Sequence, residues 1–143
     1  MSVAYNKFLP FVADVCNGYY NLASDTCKIA LSNTSITSSW SALSSVTQIS
    51  NGNGYTTGGT AIGSPSSTQT SGTETFSGNN VTFTATGTVG PFEYAVLTDS
   101  SANSSHNLIA WWDYGSALTL GNGDTFTIQF NGGASSGTIF TMA

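Results

Sequence analysis

The chain has 143 residues, a net charge of −5 and only two lysine or arginine residues, Lys7 and Lys28. Contact with nucleic acid or with an anionic membrane surface needs several cationic side chains, so the composition excludes both as partners. Only 6% of the residues are charged, but 39% are hydrophobic and 12% aromatic, which predicts one folded domain over residues 1–143 and excludes a disordered chain.

Residues 1–20 predict an N-terminal arm with a short helix. Apolar residues recur at offsets of three and four and share one face of a helix from Phe8 to Gly18: Phe8, Phe11, Val12, Val15 and Tyr19. Pro10 suits the first helical turn, and Asn17-Gly18 suits a C-terminal stop. The start lacks the basic residues and long apolar run of a secretory signal, so we expect the protein to stay in the cytoplasm in which it is made.

Residues 25–143 predict a β domain because their apolar residues alternate with a period of two. In the first predicted strand, Thr26–Leu31, the side chains of Cys27 and Ile29 face inward. The second half contains five further runs: Val81–Ala85, Phe92–Leu97, Leu108–Trp112, Phe126–Phe130 and Thr138–Met142. The first and fourth of them alternate, Phe92–Leu97 is strongly apolar, and Leu108–Trp112 is apolar on both faces, as in a strand that is covered on both sides. Seven or eight short strands in all predict a β-sandwich or a small antiparallel barrel of the jelly-roll kind.

The connections between the predicted strands are rich in turn-forming residues. We expect a polar excursion at Asn33–Ser45, dense turns at Val46–Gly59, and a long loop or an edge strand at Ser64–Gly72. Gly121–Asp124 predicts a tight hairpin turn. Asp113–Ser116 is also typical of a turn, in which the aspartate side chain bonds its own backbone.

Aromatic residues are concentrated in two neighbouring runs. Phe92 and Tyr94 lie in one run, and Trp111, Trp112 and Tyr114 lie in the next. Adjacent residues of a strand point to opposite faces, so one tryptophan belongs to the core and the other is exposed or covered by a partner. Exposed Trp and Tyr side chains mark interfaces or sugar-binding platforms.

The sequence shows no assembled set of catalytic residues. The single histidine, His106, lies in a polar loop and predicts an exposed hairpin tip, because neighbouring serines alone do not make a triad. A glycoside hydrolase would need two carboxylates that face each other across a cleft, and the candidates for such a pair are Glu74, Glu93, Asp99, Asp113 and Asp124. We expect no enzyme activity and no cofactor.

The two cysteines predict buried thiols, since free cysteine is commonly buried. Cys27 faces the core of its strand, and Cys16 lies near the apolar edge of the helix. Two alternatives stay open at this point. The cysteines could form a disulfide, or they could bind a metal ion together with His106, although these three residues are too few for a typical site.

Short motifs in both halves of the chain carry a resemblance to a known group. The first half contains Tyr5-Asn6-Lys7-Phe8, Pro10-Phe11-Val12, Gly18, Leu22, Ser24-Asp25-Thr26 and Ala30-Leu31-Ser32-Asn33-Thr34. The second half contains Gly90-Pro91-Phe92, Ala95-Val96-Leu97, Leu108-Ile109-Ala110-Trp111-Trp112-Asp113-Tyr114-Gly115 and Gly123-Asp124-Thr125-Phe126. In this order they resemble a group of small proteins encoded among the structural genes of tailed bacteriophages. The resemblance is weakest between Trp40 and Gly78.

The resemblance implies a virion component assembled in the host cytoplasm, most plausibly a head decoration or cement protein. Such a protein bridges or caps subunits of the major capsid protein, and it commonly forms a closed homo-oligomer, with a trimer favoured. A surface poor in charge loses little when a partner covers it. The residues expected to contact a partner are Tyr5, Phe8, Phe11, Trp112 and Tyr114.

Two other functions remain open on the sequence alone. The aromatic residues near Asp113, Asn107 and Asn103 fit a tail, fibre or knob-like component that binds host glycans. A small glycan hydrolase would require Glu93 and Asp113 to face each other in a cleft.

Overall fold

The computed structural model describes residues 3–143 and confirms the prediction of an all-β fold with a short N-terminal helix. The helix is α1 (Pro10–Cys16), and two single turns of 3-10 helix lie at Leu43–Ser45 and Phe130–Gly132. The strands are β1 (Asn6–Lys7), β2 (Cys27–Ser32), β3 (Thr60–Ala61), β4 (Ser66–Thr70), β5 (Thr73–Asn79), β6 (Val81–Thr84), β7 (Val89–Asp99), β8 (Leu108–Leu120), β9 (Thr125–Ile128) and β10 (Ser136–Met142).

The strands form two layers, as in a β-sandwich. The first layer is one antiparallel sheet in the order β1-β8-β7-β2-β3, with Ile29 opposite Leu97 and Ala95 opposite Trp112. The second layer consists of two smaller sheets, β10-β5-β4 and β6-β9. The main core lies between the layers and joins β2 and β7 to the buried side chains of Phe76, Phe83, Ile139 and Phe140.

The other face of the five-stranded sheet carries a second, smaller core. It is formed by Phe8, Val46, Val96 and Leu108, with four half-buried side chains packed against them: Ile36, Trp40, Leu43 and Trp111. The polar excursion predicted at Asn33–Ser45 therefore folds back as a cover. This cover explains why the run from Leu108 is apolar on both faces.

The two adjacent tryptophans point to opposite faces, as predicted, but neither is fully buried or fully exposed. The N-terminal segment covers both of them. Phe8 packs on Trp111 with the ring centroids 4.8 Å apart, and Tyr5 packs edge-on against Trp112 at 5.9 Å. The prediction was one core tryptophan and one that is exposed or covered by a partner. In the fold each ring is half-buried instead, because the chain itself partly covers both.

Helix α1 is shorter than predicted, and a different set of its residues faces the core. The N–H of Phe8 donates to the carbonyl of Ile109, which holds the chain beside β8 until Pro10 begins the helix. Phe11 and Asp14, three residues apart, share the buried face, whereas Val12 is 44% exposed. The prediction that Val12 lies on the buried face is wrong. The predicted stop is confirmed, since Gly18 adopts a φ of +78° directly after the helix.

The cysteines differ in their surroundings, and both are free thiols. Cys27 is fully buried in β2, as predicted, and burial raises the pKa of its thiol. Cys16 ends α1 and is exposed, so the prediction of two buried thiols is wrong for Cys16. The disulfide alternative is not realised.

Two connections refine the predicted topology. Ser66–Thr70 forms β4 at the edge of its sheet, which is the edge-strand alternative for that segment. The turn at Gly121–Asp124 forms as predicted, with the Gly121 N–H donating to Asp124 Oδ2 at 2.8 Å. It does not make a hairpin, however, because it carries the chain from β8 in one layer to β9 in the other. The same turn geometry can therefore join two strands of a hairpin or two strands in different layers.

Candidate functional site

A cleft of about 850 Å³ opens in the second layer between β9 and β10. These strands follow one another in the chain, yet within residues 3–143 β9 pairs only with β6 and β10 pairs only with β5. The second layer is therefore split. Every residue of 126–131 and of 138–141 lines the cleft, and not every second one. This is expected where the edge of a strand borders the cleft, because only one side chain in two would point into it from a face of the strand.

At one end of the cleft, two chain segments of the second layer approach each other closely. Phe130 begins a turn of 3-10 helix after β9, and Gly137 lies near the start of β10. A Cβ atom on Gly137 would overlap the carbonyl oxygen of Phe130, so the backbones touch there. Beyond this contact the strands separate, and the cleft lies between them.

Aromatic side chains from the first layer form the floor of the cleft. Phe92 comes from β7, and Trp112 and Tyr114 come from β8. The pairing of β1 with β8 adds Tyr5, whose burial raises the pKa of its phenol to about 12. Phe126 of β9 meets the floor edge-on, with its ring centroid 5.0 Å from that of Phe92 and 6.0 Å from that of Tyr114.

A bulge in β8 brings Tyr114 to the rim of the cleft. Tyr94 of β7 lies opposite Asp113, and Phe92 lies opposite Leu118, so β8 advances by five positions where β7 advances by two. Gly115 has a φ of +89° and donates its N–H to Asp113 Oδ1 at 2.7 Å. The predicted bond from aspartate to its own backbone is confirmed, but it shapes a bulge inside a strand and not a turn between strands.

Two acidic residues lie on neighbouring strands near this site. Glu93 of β7 lines the cleft, whereas Asp113 of β8, which lies opposite Tyr94, is not one of the lining residues. Loss of surrounding water and the negative charge of Asp113 both raise the pKa of Glu93. Glycosidases hold their two carboxyl groups about 5 to 9.5 Å apart, so that a sugar or a water fits between them. Asp113 does not line the cleft and accepts a hydrogen bond from the Gly115 N–H, so these two carboxyls do not form such a pair across the cleft.

The structure brings together three of the five residues predicted to contact a partner. Tyr5, Trp112 and Tyr114 all line the cleft. Phe8 and Phe11 do not, because they are buried in the chain's own two cores. The prediction that these two phenylalanines contact a partner is therefore wrong for this fold, since both are already packed against the chain's own sheet.

The sequence interpretation missed the contribution of β9 and β10 to the site. Phe126 and Ile128 alternate with polar residues and were expected to be ordinary inward-facing core positions, but both are only half-buried. An alternating pattern identifies the inward face of a strand and does not reveal that its edge lacks a neighbour.

A second cluster joins α1 to the loop between β7 and β8. His106 Nδ1 lies 2.9 Å from Asp14 Oδ1, and the imidazole stacks on Tyr19 with the ring centroids 4.3 Å apart. The His106 side chain is 35% exposed and that of Asp14 only 6%. The prediction of an exposed tip is wrong for His106, because the helix covers one side of the ring. The pair clamps the helix to the loop.

We expect replacement of His106 by alanine to destabilise the fold by about 1 to 2 kcal/mol, because the buried Asp14 carboxylate would lose its hydrogen-bond partner. Urea denaturation measures the difference. Ser104→Ala, an exposed change in the same loop, is the control and should stay within about 0.5 kcal/mol of the unchanged protein. Equal effects of the two replacements would show that the clamp does not form in solution.

No protein-family model, curated protein or solved structure matches this chain. Within residues 3–143, no three His, Cys, Asp or Glu side chains meet in a way that could hold a metal ion. None of the helices in the described part of the chain has the length and apolar character needed to cross a bilayer.

Proposed function

We propose that this protein is a structural subunit of a tailed-phage virion, a head decoration or cement protein that is held on the major capsid protein through its aromatic cleft. The observation that carries the proposal is the split second layer. Two neighbouring strand edges have no partner within residues 3–143, and an aromatic floor lies open between them.

Open edges and open aromatic surface are features that proteins normally protect. Unpaired edge strands invite pairing with another chain, and exposed apolar surface marks sites of association. Here both occur at one place, next to a surface that is poor in charge. A subunit that is completed by its neighbours accounts for this combination, and self-association into a closed trimer would cover further surface of the same kind.

Virions of the phage that encodes this chain provide the test. We expect mass spectrometry of purified heads to find the protein in a fixed ratio to the major capsid protein. Heads assembled without it should lose their DNA at lower temperature or at low salt. Absence of the protein from purified heads would overturn the proposal, and equal stability of the two kinds of head would overturn the cement role.

The adjacent tryptophans supply a matched pair of variants. Trp112→Ala removes part of the cleft floor and should weaken attachment to heads at least tenfold, because aromatic residues commonly dominate binding energy. Trp111→Ala makes the same chemical change on the opposite face, where the ring packs on Phe8. A sedimentation assay with added protein compares the two, and equal loss of attachment would place the contact elsewhere.

One observation favours a second function, binding of host glycans by a tail or fibre component. The cleft combines stacking surfaces on Trp112 and Tyr114 with the acceptor oxygens of Glu93. Aromatic faces and planar polar groups together suit sugar rings. A glycan array with the unchanged protein and with Trp112→Ala tests this function, which requires hits that disappear in the variant.

A further inference from the structure

We propose that the cleft between β9 and β10 is a binding site for a small quaternary ammonium ligand such as choline. Aromatic rings would surround the cationic group, and the Glu93 carboxylate would act as its counter-ion. The inference goes beyond the proposed function, because attachment to a capsid does not require a small ligand.

The charge of the cleft favours a cation. Of the described residues that line the cleft, Glu93 is the only charged one. The two lysines of the chain, Lys7 and Lys28, lie in β1 and β2 and do not line it. No salt bridge joins Glu93 to another residue within residues 3–143. The cleft therefore carries a negative charge that no cation of the protein balances, which favours a cationic ligand and disfavours an anionic one.

The aromatic rings around the cleft lie at steep angles to one another. The planes of Tyr5 and Trp112 meet at 71°. Phe126 lies at 68° to Phe92 and at 84° to Tyr114. A flat ligand stacks best on one ring or between parallel rings. A trimethylammonium group is nearly spherical, so it can contact ring faces that meet at such angles, and the arrangement fits a compact cation better than a flat ring.

The burial of the lining favours the quaternary form of the ammonium group. Phe92 and Phe130 are buried, and Tyr5 and Trp112 are half-buried, so a cation among them would lose part of its hydration. A primary ammonium group is strongly hydrated and needs acceptors for three N–H donors. A quaternary ammonium group has no N–H donor and presents methyl groups to the rings, so its transfer into the cleft costs less.

The size of the cleft leaves room for the rest of a small molecule. Its volume of about 850 Å³ lies within the range of about 300 to 1,000 Å³ that is common for small-molecule sites. Thr127, Gln129 and Thr138 line it beside the aromatic residues. Their hydroxyl and amide groups can form hydrogen bonds with the oxygen atom of choline. The expected ligand class is therefore choline or a small compound that carries a choline group.

An NMR titration of the intact, isotope-labelled protein with choline chloride tests the inference. Of the three tryptophans, only Trp112 lines the cleft. We expect its indole N–H signal to shift, whereas the signals of Trp40 and Trp111 should stay in place. Sodium chloride at the same concentration controls for ionic strength. Absence of a shift at Trp112, or a shift that sodium chloride reproduces, would overturn the inference.

The carbon analogue of choline, in which an uncharged carbon atom replaces the nitrogen, is the matched ligand. It has the same shape and the same hydroxyl group but no charge. We expect choline to bind at least tenfold more tightly, because only the cation is attracted to the ring faces and to Glu93. Equal affinities would show that the cleft is merely apolar and would contradict a cation site.

A charge variant tests the counter-ion. Glu93→Gln keeps the size of the side chain, and we expect it to weaken choline binding about three- to fivefold, as for the loss of a partly exposed ion pair. Binding of the carbon analogue should not change. Asp124→Asn removes an equal charge in an exposed turn outside the cleft and is the control. If Glu93→Gln and Asp124→Asn bound choline equally well, Glu93 would not be the counter-ion.

The adjacent tryptophans test the aromatic contacts. Trp112→Ala should weaken choline binding at least tenfold, because it removes the largest ring of the lining. Trp111→Ala, on the opposite face of the sheet, should leave the affinity unchanged. Equal loss of affinity in the two variants would place the ligand outside the cleft.

The outcomes separate this inference from the proposed function. If heads contain the protein but choline does not bind as expected, the ligand site is wrong and the decoration role stands. If choline binds as expected but heads lack the protein, the decoration role is wrong and the ligand site stands. A glycan that binds in the cleft of a protein that does not bind choline would overturn the inference in favour of sugar binding.

Discussion

Replacement of Phe8 by alanine is expected to destabilise the folded chain by about 3 to 5 kcal/mol, as for other fully buried phenylalanines. Phe8 is 0% exposed and packs on Trp111 against the outer face of the five-stranded sheet. Its loss would leave a cavity beneath Trp40 and Leu43. Because domains of this size are stable by about 5 to 15 kcal/mol, the change removes a large part of the total.

Guanidinium denaturation followed by tryptophan fluorescence measures this effect. Leu9→Ala is the matched control, since Leu9 is the next residue and is 63% exposed. It should change stability by less than about 0.5 kcal/mol. If Phe8→Ala proved as mild as Leu9→Ala, the N-terminal segment would not be docked on its own sheet in solution, and the original expectation of an arm for a partner would return.

Local sequence patterns predicted where the strands and turns lie better than they predicted which strands lie next to each other. Val81 and Phe83 alternate with threonines, and β6 forms there with those two side chains buried. The turn at Gly121–Asp124 was equally clear in the sequence. Its glycines and aspartate close a turn in the same way whether the next strand pairs with the last one or leaves for another layer, so the hairpin prediction had no local signal to correct it.

The candidate site depended even more on distant contacts. Trp112 and Tyr114 were recognisable as candidate contact residues, because exposed Trp and Tyr side chains mark interfaces. The split between β9 and β10 was not recognisable, since it arises where Gly137 meets the carbonyl of Phe130. The alternation of apolar and polar residues along one strand gives no information about such a contact between distant segments.

The buried carboxyl group of Asp99 is expected to make the stability of the folded chain depend strongly on pH. It ends β7 opposite Cys27, is fully buried, and accepts hydrogen bonds from the backbone N–H groups of Ser101 and Ala102. Burial, and then the neighbouring carboxyl of Asp25, raise the pKa of Asp99 to about 7. Its second carboxyl oxygen, Oδ2, is buried and has no hydrogen-bond partner in the described residues.

The raised pKa makes the folded chain less stable as the pH rises. An aspartate in an unfolded chain has a pKa of about 3.9, so between about pH 4 and pH 7 the folded chain keeps a proton that the unfolded chain has lost. Stability therefore decreases through this range and levels off above it. Tyr20 and Cys27 also interact with Asp99, but burial raises the pKa of each, so both stay neutral across the range.

Asp99→Asn should remove this dependence. Asparagine keeps the acceptor for Ser101 and Ala102, and its amide can donate to Asp25, but it carries no charge at any pH. Each unit of pKa corresponds to about 1.4 kcal/mol; because Asp25 is half-exposed and water screens the repulsion, we expect the variant to be more stable by about 2 kcal/mol at pH 8 and similar to the unchanged protein near pH 4.

Urea denaturation at several pH values between 4 and 8 measures the slope directly. Asp124→Asn is the control, because Asp124 lies in an exposed turn and should leave the slope between pH 5 and 8 unchanged. Asp25→Asn should reduce the slope without abolishing it, since burial of Asp99 would remain when the neighbouring charge is removed. If Asp99→Asn kept the full slope of the unchanged protein, another group would control the pH dependence, and the Asp25–Asp99 contact would not form in solution.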